Sequence, residues 1–392
     1  MKKRSSGTSV AGRPRKAWAR PPTRHTLGAV SADPATGSRD ALVERLVQAA
    51  IGTFDLFGIY LGDRLGLYRA LADRGPSTAG ELAHAAGIHA RYAREWLEQQ
   101  AATGILGVEN QDDAPDSRRF FLPPGHDEVL IDETSLSFTA SLAQSAVACG
   151  RPIDAVVDAF RTGGGITFDG YGPDGRRAQA RSTRPMFEQL LGREWLPAVP
   201  ELHERLEADP PARIADVACG CGWSTISIAR AYPKVSVEGI DLDRASIDEA
   251  RQNLVDSGMD GRVRFHCRDA ADAVFAERFD LVTIFEALHD MPRPVDVLRT
   301  IRGMLTGGGF VLVGDERTEE SFTAPASDRE RLYYGFSIMS CLPSGMVGPD
   351  PAGTGTVMRP ETLRRYASEA GFGRIEVLSI ENDDWRFYLL AE

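Results

Sequence analysis

Residues 216–224 read DVACGCGWS and follow the apolar segment RIADVA that begins at Arg213. Two cysteines alternate with two glycines, which opens three readings: metal ligands, a redox pair, or small residues in a turn. A zinc site needs a second pair of ligands, and none of the histidines at 25, 84, 89, 126, 203, 266 and 289 stands near enough in sequence to complete one. The five cysteines, at 149, 219, 221, 267 and 341, are odd in number and scattered, which argues against a disulfide framework. We expect no metal. A strand ending at Ala218, glycines at 220 and 222 and a helix from about Trp223 instead make a nucleotide loop. Cys219 and Cys221 are then its spacers.

Working outward, VSVEGID, a helix over 245–257, VRFHCRD, FDLVTIFEAL, a helix over 294–305 and FVLVGDE alternate at short spacing. That alternation predicts an α/β fold, a Rossmann-like parallel sheet with helices on both faces and its ligand at the carboxyl ends of the strands. Asp241 ends the second strand, 21 positions after Gly220, where a carboxylate accepts hydrogen bonds from both ribose hydroxyls. Thr225 stands where a dinucleotide fingerprint has its third glycine, which counts against NAD. No Gly-Lys-Ser/Thr follows a strand, which excludes a Walker loop.

Four motifs in order, ADVACGCGWSTISIA, GIDLD, RDAAD and FDLVTIFEALHDMPRP, resemble those of the class I S-adenosylmethionine-dependent methyltransferases over residues 213–392. Residues 41–392 as a whole resemble bacterial small-molecule methyltransferases, distantly similar to plant and polyketide O-methyltransferases. The resemblance implies a seven-stranded sheet with its last strand antiparallel, S-adenosyl-L-methionine as cofactor and a small-molecule acceptor. It implies that the backbone at Ala218, Cys219, Gly220 and Gly222 faces the methionine part and that Asp241 holds the ribose. It further implies that Leu242 packs on adenine, that Asp269 accepts from the exocyclic amine with Ala270 alongside, and that Phe285 and Glu286 line the rim by the sulfonium. Asp269 also reads as a strand-end cap.

EALHD places His289 after the fourth strand, where the resemblance implies a general base; imidazole titrates near neutrality, and the alternative is a loop or helix cap. Asp290 either fixes the tautomer of His289 or caps the following turn. Asp315 and Glu316, closing VLVGDE, stand where the relatives place a first orienting acid. A second acid is missing from AGTGTVMRP, which offers Thr354 and Thr356, and a histidine expected near Ser340 is absent. Tyr171, Arg184, Phe187 and the segment Tyr333 to Met346 are candidate acceptor-pocket residues.

The chain divides, on sequence, into a disordered basic tail (1–38), a helical and winged-helix part (39–160), lid and linker helices (161–200) and a methyltransferase part (201–392). Overall charge is −11, yet residues 1–40 carry nine Lys or Arg against Asp33 and Asp40, so the body is more acidic still. The winged helix would present Arg91 and Arg94 to a DNA groove, but Glu95 and Glu98 share that helix and the body repels phosphate. We expect no nucleic-acid partner, with the apolar faces of 41–71 serving dimerisation in a homodimer. Helix 89–103 should turn Tyr92, Trp96 and Leu97 inward. No segment approaches the roughly 20 apolar residues of a membrane span, so we expect a cytoplasmic protein without membrane contact. The function expected is O-methylation of a small acceptor through His289. The alternatives are C- or N-methylation and a ligand-sensing winged-helix regulator.

Overall fold

The order of the strands, more than their number, creates the site. The computed structural model describes residues 34–259, 261–271 and 276–392. Two short strands, β1 (Gly107–Val108) and β2 (Phe120–Phe121), precede β3 (Arg213–Val217), β4 (Ser236–Asp241), β5 (Val263–Cys267), β6 (Phe279–Phe285), β7 (Leu305–Glu316), β8 (Arg374–Val377) and β9 (Trp385–Ala391). The last seven form one sheet in the order β5-β4-β3-β6-β7-β9-β8. β3 pairs in parallel with both β4 and β6, whereas β9 runs antiparallel to β7 and β8. From β3 the chain moves outward through β4 and β5, then crosses back to β6. This switch point opens a crevice at the carboxyl ends of β3, β4 and β6.

Alternating side chains fill the two faces. Ile214, Leu281 and Leu312 enter one core, with Leu191, Trp195 and Phe387. Their neighbours Ala215, Val282, Val311 and Val313 enter the other, with Leu298, Ile301, Leu363 and Tyr366. Burial on both faces explains the nearly unbroken apolar runs of the parallel strands. β7 begins earlier than FVLVGDE suggests: Leu305 pairs with Phe279 and Phe310 with Leu281, and glycines 307–309 take up the difference in register. RIEVLSI yields a strand only as far as Val377.

The chain falls into two units, Met1–Phe54 and Asp55–Glu392. The first thirty-three residues of the expected basic tail lie outside the described residues, and a helix starts at Pro34. It runs to Arg64, so Gly62 does not interrupt it. A Cβ at Gly62 would stand 2.5 Å from Trp96 and Tyr68, and the glycine therefore allows close packing inside a continuous helix. Helices Leu67–Arg74, Ala79–Ala86 and Ala90–Ala102 with the β1–β2 hairpin build the winged helix around Leu71, Leu82, Trp96, Leu97 and Phe120. Thr78 and Glu81 form a reciprocal capping box at the second of these helices. Ala93, Trp96, Leu97 and Gln100 define the buried stripe of the third. Tyr92 falls one position off that stripe and is 77% exposed, its ring edge-on to His89; the inward placement expected of it does not hold.

The glycine-dense stretch 161–175 is less of a loop than its composition suggests. It carries a short 3₁₀ turn, Phe168–Tyr171, and the start of helix Gly172–Met186. That helix continues as a wide π-helical segment, Phe187–Trp195, whose Phe187, Leu191 and Trp195 reach the core. Among the described residues no helix is long and apolar enough to cross a membrane.

Candidate active site

After β3 the backbone turns through left-handed conformations at Ala218 (φ 56°), Gly220 (φ 52°) and Gly222 (φ 82°). Gly222 is required by packing, since a Cβ there would stand 2.6 Å from Phe265. A Cβ at Gly220 would meet nothing within 4 Å, so the main chain there presents an open face to a ligand. A non-glycine residue at positive φ stores strain and marks a constrained site, as Ala218 does here. Burial pushes the Cys219 thiol up and the Cys221 thiol to about 12, so neither is a thiolate near neutrality. Both are spacers.

Asp216 lies beneath this turn, 1% exposed. Its carboxylate accepts from Ser224 Oγ at 2.6 Å, Thr225 Oγ1 at 2.6 Å and Thr283 Oγ1 at 2.7 Å. Thr225, read in sequence only as a missing glycine, ties the helix start to β3. Burial raises the Asp216 carboxyl and the three hydroxyl donors pull it back.

Asp241 closes β4 beside the turn. Its Oδ2 accepts from Gly220 N at 2.8 Å and its Oδ1 from Asp243 N at 2.8 Å; burial raises it and these bonds oppose the shift. Leu242 follows, 71% exposed, an apolar side chain standing clear beside a carboxylate. Asp243 caps the next helix through Ser246 and also accepts from Arg176 Nε at 2.6 Å, while Arg176 reaches Asp169 with its other arm. Arg176 thus ties the 3₁₀ turn to the β4 loop, a link with no spacing signal in the sequence. Asp269 Oδ1 accepts from Ala271 N at 2.9 Å in a local turn, and half-buried Ala270 packs on the core. An exposed leucine, an acid whose oxygens lie along a glycine turn and an open main-chain face suit an adenosine bearing a charged tail.

The other half of the site follows β6. Phe285 stacks on Trp385 at 5.9 Å within an aromatic cluster that includes Phe187 and Trp195. Phe187 is therefore core. Glu286 takes a positive φ of 51°, and its N–H donates to Gly314 O at 2.7 Å, which sets it beside the end of β7. A 3₁₀ turn, Leu288–Asp290, then buries His289 to 2% exposure. His289 Nδ1 lies 2.7 Å from Asp315 Oδ1 and 3.7 Å from Glu316 Oε2. Burial works against the imidazolium, but these two carboxylates outweigh it and hold the His289 pKa well above 6.5.

Asp315, on β7, faces His289, while Asp290, its sequence neighbour, is pushed up to about 6 by burial. No acid comes from 352–360; the second carboxylate near the ring is that of Glu316, next to Asp315, with Oε2 3.7 Å from His289 Nδ1. Thr354 instead bonds the Tyr366 hydroxyl at 2.8 Å, and Thr356 is 1% exposed. Among the described residues, His289, Asp315 and Glu316 bring their ligating atoms within 4.8 Å of one another. Two ligands of one tetrahedral ion with bonds of about 2.0–2.1 Å stand roughly 3.3 Å apart. A separation of 2.7 Å between His289 and Asp315 is therefore hydrogen-bond spacing.

Tyr171 is 2% exposed and donates to Ser340 O at 3.3 Å. Tyr333 donates to Asp384 O at 2.8 Å, and Arg184 stacks on Trp223 at 3.9 Å from the ring centre.

Site and sheet together define a nucleotide-binding type of α/β fold with a buried His289–Asp315 pair at its switch point. Residues 209–366 match the family described as Methyltransferase domain, and residues 56–132 the Rv2258c-like winged HTH domain. The ubiquinone biosynthesis O-methyltransferase of Nitrosospira multiformis is 30% identical over 218 residues, 53% of this chain and 87% of that protein. The same-named enzyme of Stutzerimonas stutzeri is 36% identical over 164 residues, 41% of this chain and 65% of its own length. Of three further curated relatives that it matches, the chain spans between 41% and 44% of the length. In fold it is similar to human N-acetylserotonin methyltransferase, solved with S-adenosylmethionine, at TM-score 0.68 and 18% identity over 93% of this chain and 99% of that one. The chain belongs to the S-adenosylmethionine-dependent methyltransferase family.

Proposed function

We propose that the protein transfers a methyl group from S-adenosylmethionine to a hydroxyl of a small-molecule acceptor, with His289 as general base. The observation that carries this reading is the His289–Asp315 hydrogen bond at 2.7 Å. With Nδ1–H donated to Asp315, the Nε2 lone pair is left to take the acceptor proton. When bound, the cofactor supplies an electrophilic methyl on a sulfonium. The chain's part is alignment, which is worth about 7–11 kcal/mol in oriented reactions, and proton removal. Ala218, Cys219, Gly220 and Gly222 offer backbone to the methionine end, Asp241 accepts from the ribose and Leu242 covers the adenine. Asp269 with Ala270 closes the adenine edge, and Phe285 and Glu286 form the rim. Asp290 ends the turn that carries His289.

A bystander or structural His289, as in C- or N-methylation, would leave turnover intact in its absence. The test is transfer from labelled donor to a panel of phenols and alcohols, in wild type and His289→Ala. Turnover lost with donor binding retained supports the reading. Equal turnover refutes the base.

We take the winged helix as a packing and dimerisation module in a cytoplasmic homodimer. Leu42, Val43, Leu46, Val47 and Ile51 are exposed along one helix, an apolar run that a second copy would cover. Arg91 pairs with Glu95, Arg94 with Asp116 and Arg118 with Glu98, so these arginines are already neutralised against DNA. Sedimentation at micromolar concentration with Leu46→Glu tests the dimer, and salt-dependent retention on duplex DNA would contradict the packing role.

A further inference from the structure

Four carboxyls, those of Glu286, Asp290, Asp315 and Glu316, gather around one imidazole at the ends of β6 and β7. One acid is enough to orient His289, and Asp315 does so. Glu316 is 8% exposed, and among the described residues its Oε2 has no hydrogen-bond donor although it stands 3.7 Å from His289 Nδ1; Asp315 Oδ2 is likewise without one. Glu286 is hydrogen-bonded to Gln179 and shares a hydrogen bond with the Glu316 carboxyl, from a strained backbone. His289 is the one group of opposite sign among the strongest neighbours of Glu286 and Glu316. Arg386, opposite Asp315 across β7 and β9, is engaged by Glu320 at 3.3 Å. Buried carboxylate oxygens without donors, in a well with too little positive charge, call for a ligand that brings both. The donor sulfonium has charge but no N–H, and the ammonium of the donor is taken up at the methionine end by the Ala218–Gly222 backbone in the reading above, so the donor leaves Glu316 Oε2 unsatisfied.

We propose that the methyl acceptor carries a protonated amine, received by Glu286 and Glu316, with its reacting hydroxyl directed at His289. This rests on the O-methyl transfer reading. Burial supports it: desolvation pushes Glu286 up to about 7 and Glu316 higher than a free carboxyl, and an arriving ammonium favours the ionised forms of both.

The experiment uses the full chain saturated with S-adenosylhomocysteine, which removes the sulfonium charge. Small aromatic alcohols are titrated calorimetrically in matched sets whose side arm ends in an ammonium, a hydroxyl or a carboxylate. Ammonium members should bind about tenfold or more tighter than their hydroxyl partners, with carboxylate members weakest. Glu316→Gln and Glu286→Gln should each remove most of that preference. Three results overturn the inference: no ammonium preference across the wild-type sets, a preference that survives both variants, or variants that change only the ratio of donor to by-product affinity. Should S-adenosylhomocysteine itself fail to bind, the methyl-transfer reading falls and takes the inference with it.

Discussion

Two groups of buried acids flank the switch point, and their surroundings are opposite. Around β3 and β4, Asp216 accepts from three hydroxyls and each Asp241 oxygen accepts a main-chain N–H. Around β6 and β7, Asp315 and Glu316 each keep an oxygen without a donor among the described residues, beside a histidine held toward its charged form. Saturated acids fix geometry. Unsaturated ones in a dry place exchange protons or await a charged ligand. The contrast says where the fold ends and the chemistry begins.

Separate readouts should divide the two groups. The largest effect expected is from His289→Ala: turnover falls by about 10²- to 10⁴-fold while calorimetric donor affinity is unchanged. Next is Asp241→Ala, which removes the bonds to the turn and those we propose to the ribose and should weaken donor binding by about 2–3 kcal/mol, roughly 30- to 150-fold. Asp216→Ala strands three buried hydroxyls, so the expected readout is stability, about 2–3 kcal/mol lost in denaturant unfolding.

The pH profile gives a smaller, directional effect. Because its carboxylate neighbours raise the His289 pKa, the base form is scarce below neutrality, and kcat/KM should climb with pH beyond 7. Asp315→Asn removes the main raising charge and should move that limb to lower pH. A limb that stays put would separate His289 from Asp315. Smallest of all, Cys221→Ser should leave donor affinity intact, since its thiol is protonated and takes no part; a large loss would restore the cysteines as functional groups.

Much of this was legible in sequence because periodicity and glycine placement are local. The β3 turn, Asp241 at the end of β4 and His289 after β6 each follow from a strand that stops and a helix that starts. What escaped depends on distance in space. Glu316 standing near His289, Arg176 bridging Asp169 to Asp243, and Trp195 entering the sheet core all join segments far apart in the chain. Tyr92 was misplaced because an aromatic in a helical pattern reads as core until the stripe of Ala93, Trp96, Leu97 and Gln100 fixes the phase. Gly62 shows a related limit: a glycine that breaks a helix and one that lets a second helix approach look alike in sequence until Trp96 and Tyr68 are seen beside it.

The most direct measurement is calorimetric titration of the purified chain with S-adenosylhomocysteine, in wild type and Asp241→Ala. We expect one site per chain in wild type and binding weakened at least about 30-fold in the variant. Absence of heat from wild type at millimolar ligand, or equal affinity in both proteins, would contradict a nucleoside held between the β3 turn and Asp241.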